Sequence, residues 1–430
     1  MATETEEPET TEDGTPTDEQ IAPNPDVITF EEIEEAQKRI RDLIYVSPCP
    51  ESENLSKRLG AHVHLKFENL QRTGSFKERG AANKLKQLTD EEKETGVIAA
   101  SAGNHAQAVA YHGTKLGIDS TIVMPEATPL VKVTRTRRFG AEVVLEGSNY
   151  DEAYAHACDL ADERGLTFVH PFNDRAIIAG QGTLGLELLE QNPYIDVVIC
   201  SVGGGGLISG TAAALKETNP KIRVIGVEPE SLPSMTTSLK EKRIVEVPEG
   251  QTIADGIAVR EVGNLTYATA SKYVDEMVTV TEKEIANAIL VLLEEEKTVA
   301  EGAGAAPVAA LLSGKISHIE DKNVFPIISG GNIDVNVISK IIDRGLAAAG
   351  RIFRLDLQIR DVPGSLAKVL TLVAELDANV LEVYHDRTFA EDSQLGVTNV
   401  ELKLETRGRE HVQKIRDTLE DRGYKVLDHL

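Results

Sequence analysis

The stretch Ser75-Phe76-Lys77-Glu78-Arg79-Gly80 lies between an apolar segment, residues 64–67, and a helical pattern that begins with small residues. A lone lysine in such a stretch is usually a solvated surface charge. A lysine that forms a Schiff base instead needs a partly buried position that favours its neutral amine. The stretch alone therefore makes Lys77 only a candidate for a Schiff-base lysine, and further segments of the chain are needed to distinguish this from a surface charge.

Three other segments directly follow predicted buried strands. They are Ser101-Ala102-Gly103-Asn104-His105 after the strand at 97–100, Gly203-Gly204-Gly205-Gly206-Leu207 after the strand at 196–202, and Ser329-Gly330-Gly331-Asn332 after the strand at 324–328. Free backbone N–H groups at helix starts suit a carboxylate or phosphate, and open α/β sheets bind ligands at the carboxyl ends of their strands. The tetraglycine matches neither a nucleotide P-loop nor a G-x-G-x-x-G fingerprint. The three strand ends are expected to face one crevice.

The chain between these segments alternates strands with helices, which predicts parallel βαβ units and an α/β architecture. The predicted strands are 97–100, 120–124, 142–145, 167–169, 196–202, 223–228 and 324–329. The predicted helices between 97 and 169 are 103–116, 130–139 and 149–164. An earlier amphipathic helix is expected from Thr29, with Glu32 completing a capping box.

The two ends of the chain have different patterns. Residues 1–26 are acidic and rich in Thr and Pro, and no Lys or Arg precedes Lys38, so we expect a disordered acidic tail. After a small flexible linker at 345–350, the order strand, helix, strand, strand, helix, strand predicts a ferredoxin-like domain over 351–430. Its strands are predicted at 352–359, 380–386, 397–404 and 425–427, and its helices at 365–376 and 410–422.

Charge and composition exclude several classes of protein. Asp and Glu total 70 against 45 Lys and Arg, a net charge of −25, which disfavours nucleic acid and anionic membranes as partners. The acidic net charge has two interpretations. We favour a halophilic surface for a salt-rich cytoplasm, and the other interpretation is an acidic protein with an acidic tail. The absence of a long apolar run or a secretory signal favours a cytoplasmic protein. Three scattered cysteines (Cys49, Cys158, Cys200) indicate neither a disulfide framework nor a zinc site.

In this order and spacing, the four segments resemble the fold-type-II pyridoxal-phosphate enzymes, and most closely the threonine dehydratases (threonine ammonia-lyases), over residues from about 28 to 345. The resemblance implies a catalytic domain at 27–345 built from two open α/β subdomains, with a small subdomain at about 76–174 inserted in the large one. It also implies that pyridoxal 5'-phosphate is the cofactor.

The resemblance implies a role for each matching residue. Lys77 would carry the cofactor as a Schiff base, with Phe76 beside the cofactor ring. Asn104 would bond the 3' oxygen, Ser329 would face the pyridine nitrogen, and Gly256 would lie along the cofactor. The phosphate would bind backbone N–H groups of Gly203, Gly204, Gly205, Gly206 and Leu207. The substrate carboxylate would bind the loop of Ser101, Ala102, Asn104 and His105.

The resemblance also implies a reaction. A hydroxyl such as that of Ser329 cannot keep the pyridine protonated, which weakens the electron sink and suits β-elimination. Lys77 would remove the α-proton of L-threonine as general base, and 2-oxobutanoate and ammonia would result, with pyruvate from L-serine as a side activity. Serine racemases are similar but carry a serine at the position of Ala102, so a serine racemase or serine ammonia-lyase is the second hypothesis. A non-catalytic amino-acid sensor is the third.

The region after the strand at 223–228 bears on metal binding. Some relatives bind a divalent ion after the strand at 223–228, but here Leu232 and Ser234 follow Glu228, so we expect no metal. Glu301 has two interpretations, a residue near the site or a solvated carboxylate at a helix start.

The last domain contains Asp361-Val362-Pro363-Gly364-Ser365-Leu366 at its first strand-to-helix turn, and it resembles an ACT domain. Asp361, Pro363, Gly364 and Leu366 would then bind an amino-acid effector such as isoleucine or valine. An assembly module without an effector is the other interpretation. The resemblance further implies a homodimer or homotetramer and a place at the first step of isoleucine biosynthesis.

Overall fold

The computed structural model describes residues 25–386 and 396–427, and the chain divides into two compact units between Ile333 and Asp334. The strands are β1 (His62–Val63), β2 (Lys66–Phe67), β3 (Val97–Ala100), β4 (Ser120–Met124), β5 (Glu142–Leu145), β6 (Thr167–Phe168), β7 (Val197–Ser201), β8 (Arg223–Pro229), β9 (Glu276–Val280), β10 (Asn323–Ile328), β11 (Ile352–Arg360), β12 (Asn379–Asp386), β13 (Val397–Glu405) and β14 (Lys425–Leu427). Most of the predicted acidic tail, residues 1–24, lies outside the described residues.

The helices are α1 (Phe30–Ile40), α2 (Glu53–Leu59), α3 (Lys77–Lys86), α4 (Asp90–Thr95), α5 (Asn104–Leu116), α6 (Leu130–Arg138), α7 (Tyr150–Arg164), α8 (Arg175–Gln191), α9 (Gly206–Thr218), α10 (Ser234–Glu241), α11 (Asn264–Tyr273), α12 (Glu282–Glu294), α13 (Gly302–Leu312), α14 (Val335–Ala348), α15 (Ser365–Glu375) and α16 (Arg409–Asp421). Short 3-10 turns cover Glu68–Leu70 and Asp255–Ile257. None of these described helices is long and apolar enough to cross a bilayer.

The smaller sheet of the first unit is entirely parallel, with strand order β5-β4-β3-β6. Its central strands β3 and β4 are buried along their whole length, because helices cover both faces. Each predicted strand and helix of this region is present within a residue or two of its predicted bounds. The βαβ interpretation of residues 97–169 is therefore confirmed.

The larger sheet has the order β1-β10-β7-β8-β9, and β2 also pairs with β10. All its pairings are parallel, so the ends of β7, β8 and β10 lie at the same edge. The structure adds β9, which the sequence analysis did not predict because its residues are mostly half-buried and lack an apolar run. Of the apolar segment at 64–67, which was expected to form a strand, only Lys66–Phe67 does so, as β2, and β1 lies just before the segment; both strands pair with β10.

The second unit has a four-stranded antiparallel sheet in the order β12-β13-β11-β14. Helices α15 and α16 supply Val369, Val373 and Ile415 to a core that also takes Leu355 and Leu402 from the sheet. The predicted βαββαβ order is confirmed. Helix α14 belongs to this unit, so the first unit ends before α14 and not at residue 345 as the sequence predicted. The flexible linker predicted at 345–350 is wrong over most of its length, because α14 continues to Ala348.

Helix α1 begins as the sequence predicts. The Thr29 hydroxyl accepts a hydrogen bond from the Glu32 N–H, and the Glu32 carboxylate accepts one from the Thr29 N–H. Glu32 also forms an ion pair with Arg175 at 2.6 Å. The capping box therefore joins the helix start to α8, and burial of Ile33 and Ala36 holds the helix against the core.

A fully buried ion network fixes the start of α3. The Arg79 guanidinium donates to both carboxylate oxygens of Glu68 at 2.8 Å and to Glu187 at 2.9 Å. Lys66 pairs with Glu187 and donates to the Ser47 carbonyl at 2.8 Å. Burial would raise the pKa of Glu68, but Arg79 outweighs it and lowers that pKa to about 2. Because Lys77 is two residues before Arg79, the network sets its position.

Replacement of Arg79 by methionine is expected to lower the free energy of unfolding by about 3–5 kcal/mol, because it leaves the buried carboxylate of Glu68 without its main partner and removes one of the two cations that pair with Glu187. Urea denaturation at neutral pH measures this change. The matched control is Lys93→Met, which removes an ion pair whose partner Asp90 is 99% exposed and should leave stability unchanged. A loss for Arg79→Met below about 1 kcal/mol would contradict the structure.

The same network predicts the acid dependence of stability. The pKa of Glu68 is lowered from its ordinary 4.5 to about 2, so its contribution is complete above pH 4.5 and is lost as pH falls toward 2. In the Arg79→Met variant, the part of the unfolding free energy that depends on pH in this range should be smaller than in the wild type. Urea denaturation of both proteins across this pH range tests the assignment of the lowered pKa to Glu68.

Candidate active site

The segment around Lys77 is joined directly to the end of β10. The Phe76 N–H donates to the Ser329 carbonyl at 3.0 Å, and Ser75 forms an isolated β-bridge with Gly330. Lys77 then opens α3. The lysine and Ser329, which the sequence analysis placed in one crevice from separate segments, therefore lie at the same edge of the large sheet.

The amine of Lys77 is prepared for nucleophilic chemistry. Its side chain is partly exposed, yet protein surrounds the amine, which donates to the Pro171 carbonyl at 2.7 Å. Burial lowers the pKa of Lys77 to about 8, although the charge of Glu301 acts in the opposite direction. Roughly a tenth of the amine is then neutral at pH 7, against almost none for an ordinary lysine. The interpretation of Lys77 as a surface charge does not fit this geometry.

The tetraglycine connects β7 to α9 through a backbone that other residues cannot easily adopt. Gly205 has φ +90° and precedes the first residue of α9. A Cβ on Gly203 would lie 2.9 Å from the Ile257 Cα, so the neighbouring turn leaves no room for a side chain. Bare N–H groups at the start of a 13-residue helix form a cradle for a phosphate. The residues present therefore fit the phosphate of the cofactor.

The Ser329 hydroxyl is buried beside a second hydroxyl. Its Oγ lies 3.0 Å from the Oγ of Ser201, at the end of the neighbouring strand β7. Two hydroxyls in contact can share one hydrogen bond and still leave one O–H free to donate. This arrangement suits an aromatic nitrogen that accepts a hydrogen bond, and it provides no carboxylate that would protonate that nitrogen.

Asn104, the first residue of α5, is held between two residues of the larger sheet's edge. Its Nδ2 donates to Glu301 Oε1 at 2.7 Å, and its Oδ1 accepts from Asn332 Nδ2 at 2.8 Å. Glu301 is only 4% exposed, and burial together with the charge of Asp255 raises its pKa to about 7. The interpretation of Glu301 as a solvated carboxylate is therefore wrong. Gly256 lies beside this carboxylate, since a Cβ there would be 3.3 Å from Oε1.

The predicted carboxylate-binding loop has its backbone, and not its histidine ring, at the crevice. Ser101 Oγ accepts from the Gly103 N–H at 3.2 Å, which shapes the loop, and Ala102 is partly exposed. The His105 ring is buried with Nε2 2.8 Å from the Val169 carbonyl, and burial with the charge of Lys77 lowers its pKa to about 3. A neutral ring in this position holds α5 against the end of β6.

Pro171 and Phe172 belong to the site but were not predicted from the sequence. They follow β6, whose carboxyl end faces the same crevice as the other strands. The Phe172 ring lies against Gly204, and the Pro171 carbonyl accepts from Lys77. Their position directly after a predicted strand is the same signal that identifies Ser101 and Ser329 in the sequence.

The carboxylate of Glu228 accepts hydrogen bonds from donors of the chain itself. Its oxygens accept from the Met235 N–H at 2.7 Å, the Thr236 N–H at 2.9 Å and the Thr236 hydroxyl at 2.6 Å, so it caps α10. The Ser234 hydroxyl lies 3.3 Å away. Across residues 25–386 and 396–427, no group of three or more His, Cys, Asp or Glu side chains is arranged to hold a metal.

This architecture, two parallel α/β sheets with a lysine and a glycine cradle at their strand ends, defines a class of enzyme. A family model described as "Pyridoxal-phosphate dependent enzyme" matches residues 40–330, two thirds of the chain. The chain belongs to this family, as the sequence predicted, and pyridoxal phosphate is its cofactor.

Individual relatives narrow the class. The chain is 50% identical over 400 residues to a Thermotoga maritima protein named "L-threonine ammonia-lyase", covering 93% of this chain and 99% of that one. A Geobacter sulfurreducens protein of the same name is 48% identical, and the match covers 92% of this chain and 98% of that one. The solved structure of processed threonine deaminase isoform 2 from Solanum lycopersicum has a TM-score of 0.70 at 38% identity and covers 75% of this chain and 93% of that one. The solved structure of maize serine racemase has a TM-score of 0.71 at 34% identity, and the match covers 75% of this chain and 99% of that one.

The pKa of Lys77 and its dependence on Glu301 can be measured in the cofactor-free protein. Reductive labelling by pyridoxal 5'-phosphate and borohydride, followed by peptide mapping across pH, should give a midpoint of about 8. In Glu301→Gln the midpoint should move down, because the carboxylate raises the pKa of Lys77.

The control for this measurement is Glu31→Gln, which changes an exposed carboxylate on α1 and should leave the midpoint where it is. A wild-type midpoint near the ordinary value of 10.5 would refute the placement of Lys77.

Proposed function

We propose that the protein is an L-threonine ammonia-lyase, which converts L-threonine to 2-oxobutanoate and ammonia by β-elimination and also acts on L-serine. The observation that carries the proposal is Lys77, a lysine with a lowered pKa at the strand ends. Its segment is bonded to the strand end that carries the buried Ser329, and its amine bonds Pro171, next to the Phe172 ring that lies on the glycine cradle. The names of relatives identical at 48–50% over more than nine tenths of the chain support the same substrate.

Each residue of the site has a defined part in this reaction. The cofactor, when bound, supplies an electron sink for the carbanion that forms at the α-carbon. Lys77 anchors it and then, as a free neutral amine, takes the α-proton. The N–H groups from Gly203 to Leu207 hold the phosphate, and the loop at Ser101 to His105 holds the substrate carboxylate. Ser329 offers a hydroxyl in place of an acid, which favours elimination.

Serine racemase is the second candidate function, because the maize enzyme has a TM-score of 0.71 with this chain. Racemisation needs a proton donor on the face of the substrate opposite Lys77. Ala102 has no titratable group, so the loop that resembles the racemases supplies none there. Elimination requires only the one base, and we therefore favour the lyase over both the racemase and a non-catalytic sensor.

The proposal is tested by assaying the holoenzyme with L-threonine and measuring 2-oxobutanoate. Lys77→Ala is expected to lower kcat by at least about a thousandfold, because both the anchor and the base are lost. The matched control is Lys86→Ala, an exposed lysine of the same helix, which should leave the rate unchanged. Failure of the wild type to form 2-oxobutanoate would refute the substrate, and accumulation of D-serine from L-serine would favour the racemase.

For the second unit, we propose an ACT-like regulatory domain that binds isoleucine or valine. The turn from Asp361 to Gly364 is exposed, Gly364 has φ +86°, and Ser365 opens the 11-residue helix α15 with Leu366 behind it. Pro363 restricts the turn that presents this helix start. The antiparallel sheet supports the proposal by its order, and regulation by isoleucine would suit an enzyme that opens isoleucine biosynthesis.

The regulatory proposal predicts saturable binding of isoleucine or valine to the full-length protein, measured by calorimetry, and a change in threonine kinetics at the same concentrations. Asp361→Ala should weaken binding about tenfold, as expected for a lost charged contact. Asp421→Ala, an exposed carboxylate at the end of α16, is the control. Absence of binding by both amino acids would leave the unit as an assembly module.

Three further predictions stay as such: a homodimer or homotetramer, a cytoplasmic location, and a halophilic surface. The net charge of −25 supports the last of these, because high salt screens the repulsion between acidic side chains.

A further inference from the structure

Asn104 is placed by a chain of hydrogen bonds that begins at a backbone carbonyl. Asn332 Nδ2 donates to the Thr73 carbonyl at 2.6 Å and to Asn104 Oδ1 at 2.8 Å. Asn104 Nδ2 in turn donates to Glu301 Oε1 at 2.7 Å. The chain joins the segment before Lys77 to the first residue of α5 and the start of α13.

The direction of each bond in this chain is determined. A backbone carbonyl only accepts, so the atom of Asn332 that faces Thr73 must be its nitrogen. Both hydrogens of that nitrogen are then used, and the atom of Asn104 that faces it must be the oxygen. If the Asn104 amide turned over, it would oppose donor to donor at Asn332 and acceptor to acceptor at an ionised Glu301. Two favourable contacts would become two unfavourable ones.

Asn332 is itself held tightly in place. The Gly331 N–H donates to the Gly74 carbonyl at 2.9 Å, which pairs its loop with the segment before Lys77. Gly74 has φ +79°, and a Cβ there would lie 2.8 Å from Asn332 Oδ1. Only glycine therefore permits the close approach of the amide.

We propose that Asn332 is a positioning residue that fixes the orientation of the Asn104 amide, so that the second Nδ2 hydrogen of Asn104 is directed to the cofactor. The inference rests on the proposed function, since it takes the cofactor's ring oxygen, an acceptor, as the ligand of that hydrogen. Asn332 acts on the ligand only through Asn104. The two residues should therefore contribute to cofactor binding as one unit.

A double-mutant cycle tests this coupling through the Kd of pyridoxal 5'-phosphate for cofactor-free protein, followed by the visible absorption of the bound cofactor. Asn104→Ala should raise the Kd about tenfold, and Asn332→Ala between about twofold and tenfold, as expected for one hydrogen bond lost or misdirected. The double variant should bind as Asn104→Ala alone does. The absorption maximum should move in the same direction in both single variants.

Two further variants protect the test against loss of folding. Asn332→Asp keeps the shape of the side chain but replaces the donor by an acceptor, so it should raise the Kd at least as much as Asn332→Ala. Asn69→Ala removes an amide that bonds Thr298 and Val299 beside Gly331 and has no link to Asn104, so its Kd should equal that of the wild type.

The outcomes separate this inference from the proposed function. Independent losses that multiply in the double variant, or an unchanged Kd in Asn332→Asp, would overturn the positioning role while the wild type still forms 2-oxobutanoate. A wild-type protein that binds no pyridoxal 5'-phosphate would overturn the proposed function and this inference together.

Discussion

The ion network of Lys66, Glu68, Arg79 and Glu187 is the constraint on which the site depends. Charges removed from water need partners in good geometry, so these ion pairs restrict how β2, α3 and α8 can be arranged. The forked guanidinium of Arg79 sets the rotation of α3 about its axis. Lys77, at the first position of that helix, is thereby directed to the end of β10. A property of the core thus determines where the nucleophile lies.

Burial shifts the pKa values of Lys77 and Glu301 in opposite directions, and both shifts favour the neutral form of the group. It lowers the pKa of Lys77 to about 8 and raises that of Glu301 to about 7, so each moves toward its neutral form. At pH 7 most of the Lys77 amine still carries its proton and about half of Glu301 is ionised, so the two charges partly offset each other. A further attraction for an anion comes from the N–H groups at the start of α9. Backbone dipoles do not titrate, and they hold a phosphate without competing with Lys77 for its proton.

The sequence predicted most of this structure because its signals are local. Strands such as Val97–Ala100 are short apolar runs, and Thr29 and Glu32 carry their own capping geometry. Strands that were not predicted depend on distant partners: β9 is half-buried, and the two-residue β1 is a strand only through its pairing with β10. The position of Glu301 depends on Asn104, 197 residues earlier, and no local pattern separates that carboxylate from a solvated one. Family resemblance implies the roles of the site residues, while burial and hydrogen bonding decided between the alternative interpretations of Lys77 and Glu301.

The cap that Glu228 makes on α10 has a consequence for the loop at the start of α9. A bound cation exchanges with the medium, and its occupancy follows the concentration and the competitors of that ion. Here the counterpart of the buried carboxylate is the chain's own N–H groups, with Met235 packed beside Gly205 in the phosphate cradle. The support beneath the cradle is therefore covalently part of the protein. The shape of the cradle is in this way tied to the fold of the chain around α10.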